Sequence, residues 1–132
     1  MRILIASSID KDAIEQMSQK HDVVCAFNEK EVKLKPLIKN CDILIFRSDV
    51  KITADILSSA NSLKLIIRAG SGLDNIDTEC LKKLNIALQR IPEPGALAVS
   101  EMTFALMLSL ARQVVRADRL LRQGRWAKHE IE

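Results

Sequence analysis

Two arginines followed by small residues mark the places where this sequence can do chemistry. Arg47-Ser48 and Arg68-Ala69-Gly70-Ser71-Gly72 each follow a short apolar run, as do Ser7-Ser8 and Gln89-Arg90. An arginine presents a planar fork of N–H donors that fits a carboxylate or phosphate, and glycine lets backbone N–H groups approach a ligand closely. Arg47, Ser48, Arg68, Gly70, Ser71 and Gly72 are therefore the candidate residues for binding a small anion. Any one arginine taken alone reads equally well as a solvated surface charge. It is the gathering of several on one edge that favours an anion site.

The same residues exclude other chemistries. Gly70-Ser71-Gly72-Leu73-Asp74-Asn75 begins like a dinucleotide fingerprint, but Asn75 stands where the third glycine belongs. The segment therefore reads as a tight turn. A phosphoacceptor receiver domain needs acidic residues after its first and third strands, and here those places hold Ser7-Ser8 and Arg47-Ser48. His21 and His129 are the only histidines and lie far apart, which leaves no Ser/His/Asp set and no metal-ligand cluster. Cys25, Cys41 and Cys80 lack CxxC spacing and are expected to be reduced, mostly buried thiols. No catalytic residue and no metal ligand is expected within the chain.

Such strand-end residues need a sheet to position them. β-branched runs at Ile3–Ala6, Val23–Ala26, Ile43–Phe46, Leu65–Ile67 and Ile86–Leu88 read as strands, apolar enough to be buried on both faces of a parallel sheet. Helical patterns lie between them at Lys11–Lys20, Glu31–Lys39, Ala54–Ala60 and Thr78–Leu84, with Asp10, Thr53 and either Asp77 or Thr78 as N-caps. This alternation predicts an α/β fold, a flavodoxin-like open parallel five-stranded sheet in the order 2-1-3-4-5 with helices on both faces. Ligands of such sheets bind beyond the carboxyl ends of the strands, where the arginines stand.

Ile91-Pro92-Glu93-Pro94-Gly95 marks the exit from the sheet, and from Leu97 to Gln123 there is no Pro or Gly. One long C-terminal helix is expected there, stopped by Gly124. Met102, Phe104, Ala105, Leu106, Met107, Leu108, Leu110 and Ala111 surround its axis, and a helix apolar all round must be buried all round. One sheet covers only one side, so a second domain or subunit is expected on the rest. The division expected is 1–96 for the α/β domain, 97–124 for a crossing and dimerisation helix, and 125–132 for the start of a linker.

The 132 residues fit one domain, and 48% hydrophobic with 28% charged residues is a globular balance. A net charge of +3, scattered, and only 3% aromatics argue against nucleic acid. The N-terminal apolar run is too short for a signal peptide, and the longest apolar stretch is about half of the ~20 residues a bilayer requires. A soluble, cytoplasmic protein without membrane contact is expected.

The order of motifs is specific. Arg47-Ser48, Ile52-Thr53-Ala54-Asp55-Ile56-Leu57, and Arg68-Ala69-Gly70-Ser71-Gly72-Leu73-Asp74-Asn75-Ile76-Asp77 resemble the D-isomer-specific 2-hydroxyacid dehydrogenases, most of all the D-3-phosphoglycerate dehydrogenase branch. The likeness continues through Ile91-Pro92, Ser100-Glu101-Met102-Thr103, Leu110-Ala111-Arg112 and Gly124-Arg125-Trp126. It implies the N-terminal, substrate-binding domain of a two-domain enzyme. The NAD-binding domain with its true fingerprint and the catalytic Arg, Glu and His would lie beyond Glu132, so the chain alone is expected to be inactive. The resemblance further implies that Arg47 contacts the anionic groups of a 2-hydroxy or 2-oxo acid. Ser71 and Gly72 would face the substrate carboxylate and the nicotinamide side of NAD, and Arg68 would chiefly orient that loop. It implies a homodimer through the 97–123 helix, with Glu101 structural. Arg90 departs from the pattern, since many relatives carry Asn there. The rival reading is a non-catalytic anion-binding or dimerisation module ending natively near Glu132.

Overall fold

A computed structural model describes residues 1–27, 29, 31–126 and 128–131. In chain order it runs β1 (Arg2–Ile5), α1 (Lys11–Ser18), β2 (Asp22–Cys25), α2 (Glu31–Ile38), β3 (Ile43–Phe46), α3 (Ala54–Ser58), β4 (Leu65–Arg68), α4 (Thr78–Lys83), β5 (Ala87–Arg90), α5 (Glu93–Ala111) and α6 (Val114–Arg122). Two compact units result, Met1–Glu93 and Pro94–Glu132.

In the first unit the five strands form one parallel sheet in the order β2-β1-β3-β4-β5, as the alternation predicts. Side chains alternate between the faces of a strand, so the apolar runs feed two cores. Leu4, Leu44, Ile66 and Phe46 pack with Leu34 and Ile38 of α2, Ile56 and Leu57 of α3, and Leu81 of α4. On the opposite face Ile3, Ile5 and Ile45 meet Ile14 and Met17 of α1. Burial on both faces holds for the inner strands and fails for β2 and β5, which close the two edges and leave most of their residues partly or fully exposed. Cys25, on β2, is exposed for that reason, contrary to the expectation of mostly buried thiols, whereas Cys41 is buried.

Helix ends follow the capping chemistry. Asp10 accepts from the Ala13 N–H at 3.1 Å, Thr53 from Ile56 at 3.4 Å, and Asp77 rather than Thr78 caps α4 through the Cys80 N–H at 2.9 Å. Asn85, at φ 54°, closes α4: its own N–H reaches the Lys82 carbonyl and the Ile86 N–H the Leu81 carbonyl. That left-handed turn delays β5, which begins at Ala87 instead of Ile86.

In the second unit the expected single helix over 97–123 is two. The first begins at Glu93, inside the segment expected to be irregular, because a proline in a first helical turn forfeits no intrahelical bond. It ends where Gln113 adopts φ 51°, ψ 34°, and α6 departs at 63°. Gly124, at φ 75°, ends α6 as expected, with the Arg125 N–H returned to the Leu120 carbonyl. Leu97, Met102, Phe104, Leu106, Leu108 and Leu110 of α5 are all exposed. Among the described residues no single helix is long and apolar enough to cross a membrane.

Candidate functional site

Register brings the candidate residues to one edge. Ile5, Ile45 and Ile67 stand abreast in β1, β3 and β4, and one step on Phe46, Arg68 and Arg90 are partners across β3, β4 and β5. The loops leaving these strands carry Ser7-Ser8, Arg47–Val50, Ala69–Asn75 and Ile91.

Arg47 is exposed, yet its peptide groups are held. Its N–H donates to Ser7 Oγ at 2.8 Å, and its carbonyl accepts from Asn75 Nδ2 at 2.9 Å. Its guanidinium reaches the Ser8 carbonyl at 3.4 Å. Ser48, beside it, is exposed as well.

Arg68 is the opposite case, 5% exposed. Its side chain turns back under its own loop, where Nη1 donates to the Ala69 carbonyl at 2.8 Å and Nε to Asn75 Oδ1 at 3.3 Å. The guanidinium carbon lies 5.8 Å from the centroid of the Phe46 ring, within cation–π range. A buried cation needs such partners, because leaving one unpaired costs far more than a lost surface bond. Gly70 makes the arrangement sterically feasible: at φ 149° it has no Cβ, and one placed there would collide with Arg68 Nη1. Across the loop, Arg90 Nη1 donates to the Ser71 carbonyl at 3.2 Å, bracing the glycine turn from the neighbouring strand. Ser71 itself is exposed, and Gly72 lies over Asp74, with a Cβ there coming within 2.7 Å of Asp74 Oδ1.

Two connecting residues escaped the sequence reading. Asn75 drew notice as a missing third glycine and as part of the family motif, with no role of its own, yet it is buried and uses its amide fully, donating to the Arg47 and Val50 carbonyls and accepting from Arg68. Ser7 counted only as a small hydroxyl residue, but it is wholly buried, accepting from Arg47 and donating to Asp49 Oδ1 at 2.7 Å. A polar residue just before the buried Ile76, itself bridged to Ile52, was the available signal for Asn75. The arrangement offers one exposed arginine and an exposed serine on a glycine turn, carried by a buried polar lattice. Among the described residues no cluster could hold a metal ion.

Residues 3–130 match the D-isomer specific 2-hydroxyacid dehydrogenase family in its catalytic domain. The chain is 35% identical over 132 residues to the D-3-phosphoglycerate dehydrogenase of Methanocaldococcus jannaschii, covering 100% of this chain and 25% of that protein. It is 35% identical to the hydroxypyruvate reductase of Thermotoga maritima, over 99% of this chain and 43% of that protein. The NAD+-bound 3-phosphoglycerate dehydrogenase of Entamoeba histolytica superposes with a TM-score of 0.75 at 28% identity, over 85% of this chain and 39% of that one. The chain thus spans between 25% and 43% of the length of these relatives. On sequence, sheet order and fold alike, it belongs to the D-isomer specific 2-hydroxyacid dehydrogenase family.

Proposed function

We propose that this chain is the substrate-binding part of an NAD-dependent D-2-hydroxyacid dehydrogenase of the D-3-phosphoglycerate dehydrogenase kind. Its substrate is a small anionic 2-hydroxy acid, oxidised at the C2 hydroxyl. The observation that carries this reading is the exposed Arg47 guanidinium on a peptide fixed at both its N–H and its carbonyl, at the strand edge where open sheets bind ligands.

In this reading Arg47, with Ser48 beside it, binds the anionic groups. The Gly70-Ser71-Gly72 turn presents backbone N–H groups and a hydroxyl to the substrate carboxylate, and the buried Arg68 holds that turn in place. Ser71, exposed on the turn, also faces the nicotinamide side of NAD in this reading. The turn does not fit a dinucleotide's diphosphate, since Asn75 replaces the third glycine and is committed to other bonds. NAD, bound mainly by a companion domain, supplies the hydride acceptor. This chain's residues bind and orient the substrate but handle no proton. A second copy of the chain, packed on α5, and a cytoplasmic setting complete the proposal.

The test joins this chain, in place of the matching segment, to the remainder of the NAD+-bound 3-phosphoglycerate dehydrogenase of Entamoeba histolytica. NAD reduction is followed at increasing 3-phosphoglycerate, D-glycerate and D-lactate. Turnover is expected with at least one of them, and Arg47→Ala should raise KM about tenfold or more, the worth of a charge-assisted hydrogen bond. Absence of turnover with every 2-hydroxy acid, or an unchanged KM in the variant, overturns the reading. The 132-residue chain alone should show none.

A further inference from the structure

We infer that Ser7 and Asn75 are positioning residues that act through Arg47, clamping its peptide from both sides so that its exposed guanidinium meets an anion in a fixed place. This rests on the anion-site reading above and adds the device that makes that site rigid. Arg47 lies on an exposed loop, where water could satisfy its backbone. Instead two buried side chains from two other segments converge on it. Ser7, fully buried at the end of β1, accepts the Arg47 N–H at 2.8 Å. Asn75, 9% exposed in the loop after β4, donates to the Arg47 carbonyl at 2.9 Å.

Each clamp is itself oriented. The Ser7 hydroxyl gives its proton to Asp49 at 2.7 Å, which leaves the oxygen's lone pair for the Arg47 N–H. Arg68 Nε donates to Asn75 Oδ1, which fixes the direction of the amide and sends both Nδ2 protons to the carbonyls of Arg47 and Val50. Linked bonds of this kind strengthen one another, and a partly satisfied network is costly. Asn75 thereby ties the Arg47 loop to the buried arginine under the glycine turn, so both halves of the anion site share one amide. Positioning to a fraction of an ångström is what such a site needs from its supporting residues.

A structural tie alone would alter stability, whereas a positioning role alters affinity only while Arg47 is present. The 132-residue chain is titrated with 3-phosphoglycerate, following the amide resonances of Ser71 and Gly72 by NMR. The forms compared are the unsubstituted chain, Ser7→Ala, Asn75→Asp, Arg47→Ala and the two double variants containing Arg47→Ala. Ser7→Ala is expected to weaken binding about fivefold, and by less than about twofold once Arg47 is alanine. Asn75→Asp should weaken it about tenfold, with most of that loss also absent in the Arg47→Ala background. Losses that persist in full without Arg47, or affinities unchanged in both single variants, overturn the clamp. If Asn75→Asp fails to fold, the Ser7→Ala cycle decides alone. An unsubstituted chain giving no shifts at millimolar 3-phosphoglycerate overturns the anion-site reading itself, a result distinct from failure of the clamp.

Discussion

Gly70 and Gly72 look alike in the sequence, but a methyl group should act differently at each. At Gly70 the backbone sits at φ 149° and the new carbon would strike Arg68 Nη1, which cannot retreat because its guanidinium is buried and bonded to Ala69 and Asn75. Gly70→Ala should cost about 1–3 kcal/mol of stability, read from urea unfolding. At Gly72 the obstacle is the tip of the exposed Asp74 side chain, which can swing into solvent, so Gly72→Ala should cost under about 1 kcal/mol. Equal costs would mean that Arg68 does not set the demand at Gly70. The types and spacing of these residues were legible in the sequence, and so was the turn. The inward course of Arg68 was not, because an arginine after a strand reads the same whether it faces water or folds beneath its own loop. Asn75 was misjudged for a related reason: a fingerprint asks what a residue lacks, whereas its role depends on three groups brought near only by the fold.

Alternation of runs was enough for the sheet, its order and the caps, since each depends on local periodicity and on side-chain oxygens one turn away. The break in the C-terminal helix was not legible, since Arg112-Gln113-Val114 carries neither Gly nor Pro. Gln113 instead takes the left-handed conformation, which costs an L-residue roughly 1–2 kcal/mol. Gln113→Gly should therefore raise the stability of this unit by up to about 1 kcal/mol even though it gives up the exposed bond from Arg116, a gain visible as a higher melting temperature. Loss of stability on that change would show that the side chain, not the backbone, holds the bend. At the amino ends of the strands, Asp42 joins the start of β1 to the entry of β4. Its carboxyl is held below the usual range, first by the Arg2 N–H at 2.9 Å and then by Lys64. A depressed folded value contributes stability above the ordinary carboxylate pKa of about 3.9, and that contribution is lost as pH falls through the folded value. Asp42→Asn should therefore flatten the acid limb of the stability profile below about pH 4 and leave its slope at neutral pH unchanged. An unchanged acid limb in a urea series across that range would assign acid sensitivity elsewhere.

The proposed anion site occupies the strand ends, but the whole chain also has to account for α5. Leu97, Val99, Met102, Phe104, Leu106, Met107, Leu108 and Leu110 are each at least 60% exposed and point in every direction around the helix. A single partner covers one side of a helix, so two coverings suit this distribution. The proposed function supplies them, a second copy of the chain and the companion domain that binds NAD. Phe104 and Leu106 separate the two, because two positions apart along a helix means about 200° of rotation. If a second copy covers one side only, Phe104→Glu and Leu106→Glu should behave unequally. One should shift a monomer–dimer equilibrium of the isolated chain by at least about tenfold in sedimentation equilibrium, since a charge buried in an apolar interface goes unpaired. The other should leave self-association intact and instead lower activity when the chain is joined to its companion domain. Equal effects of both substitutions on self-association would place a second copy all around α5 and leave the companion domain no surface there. An isolated chain that stays monomeric at every concentration would remove the second copy and require the companion domain to enclose the helix by itself.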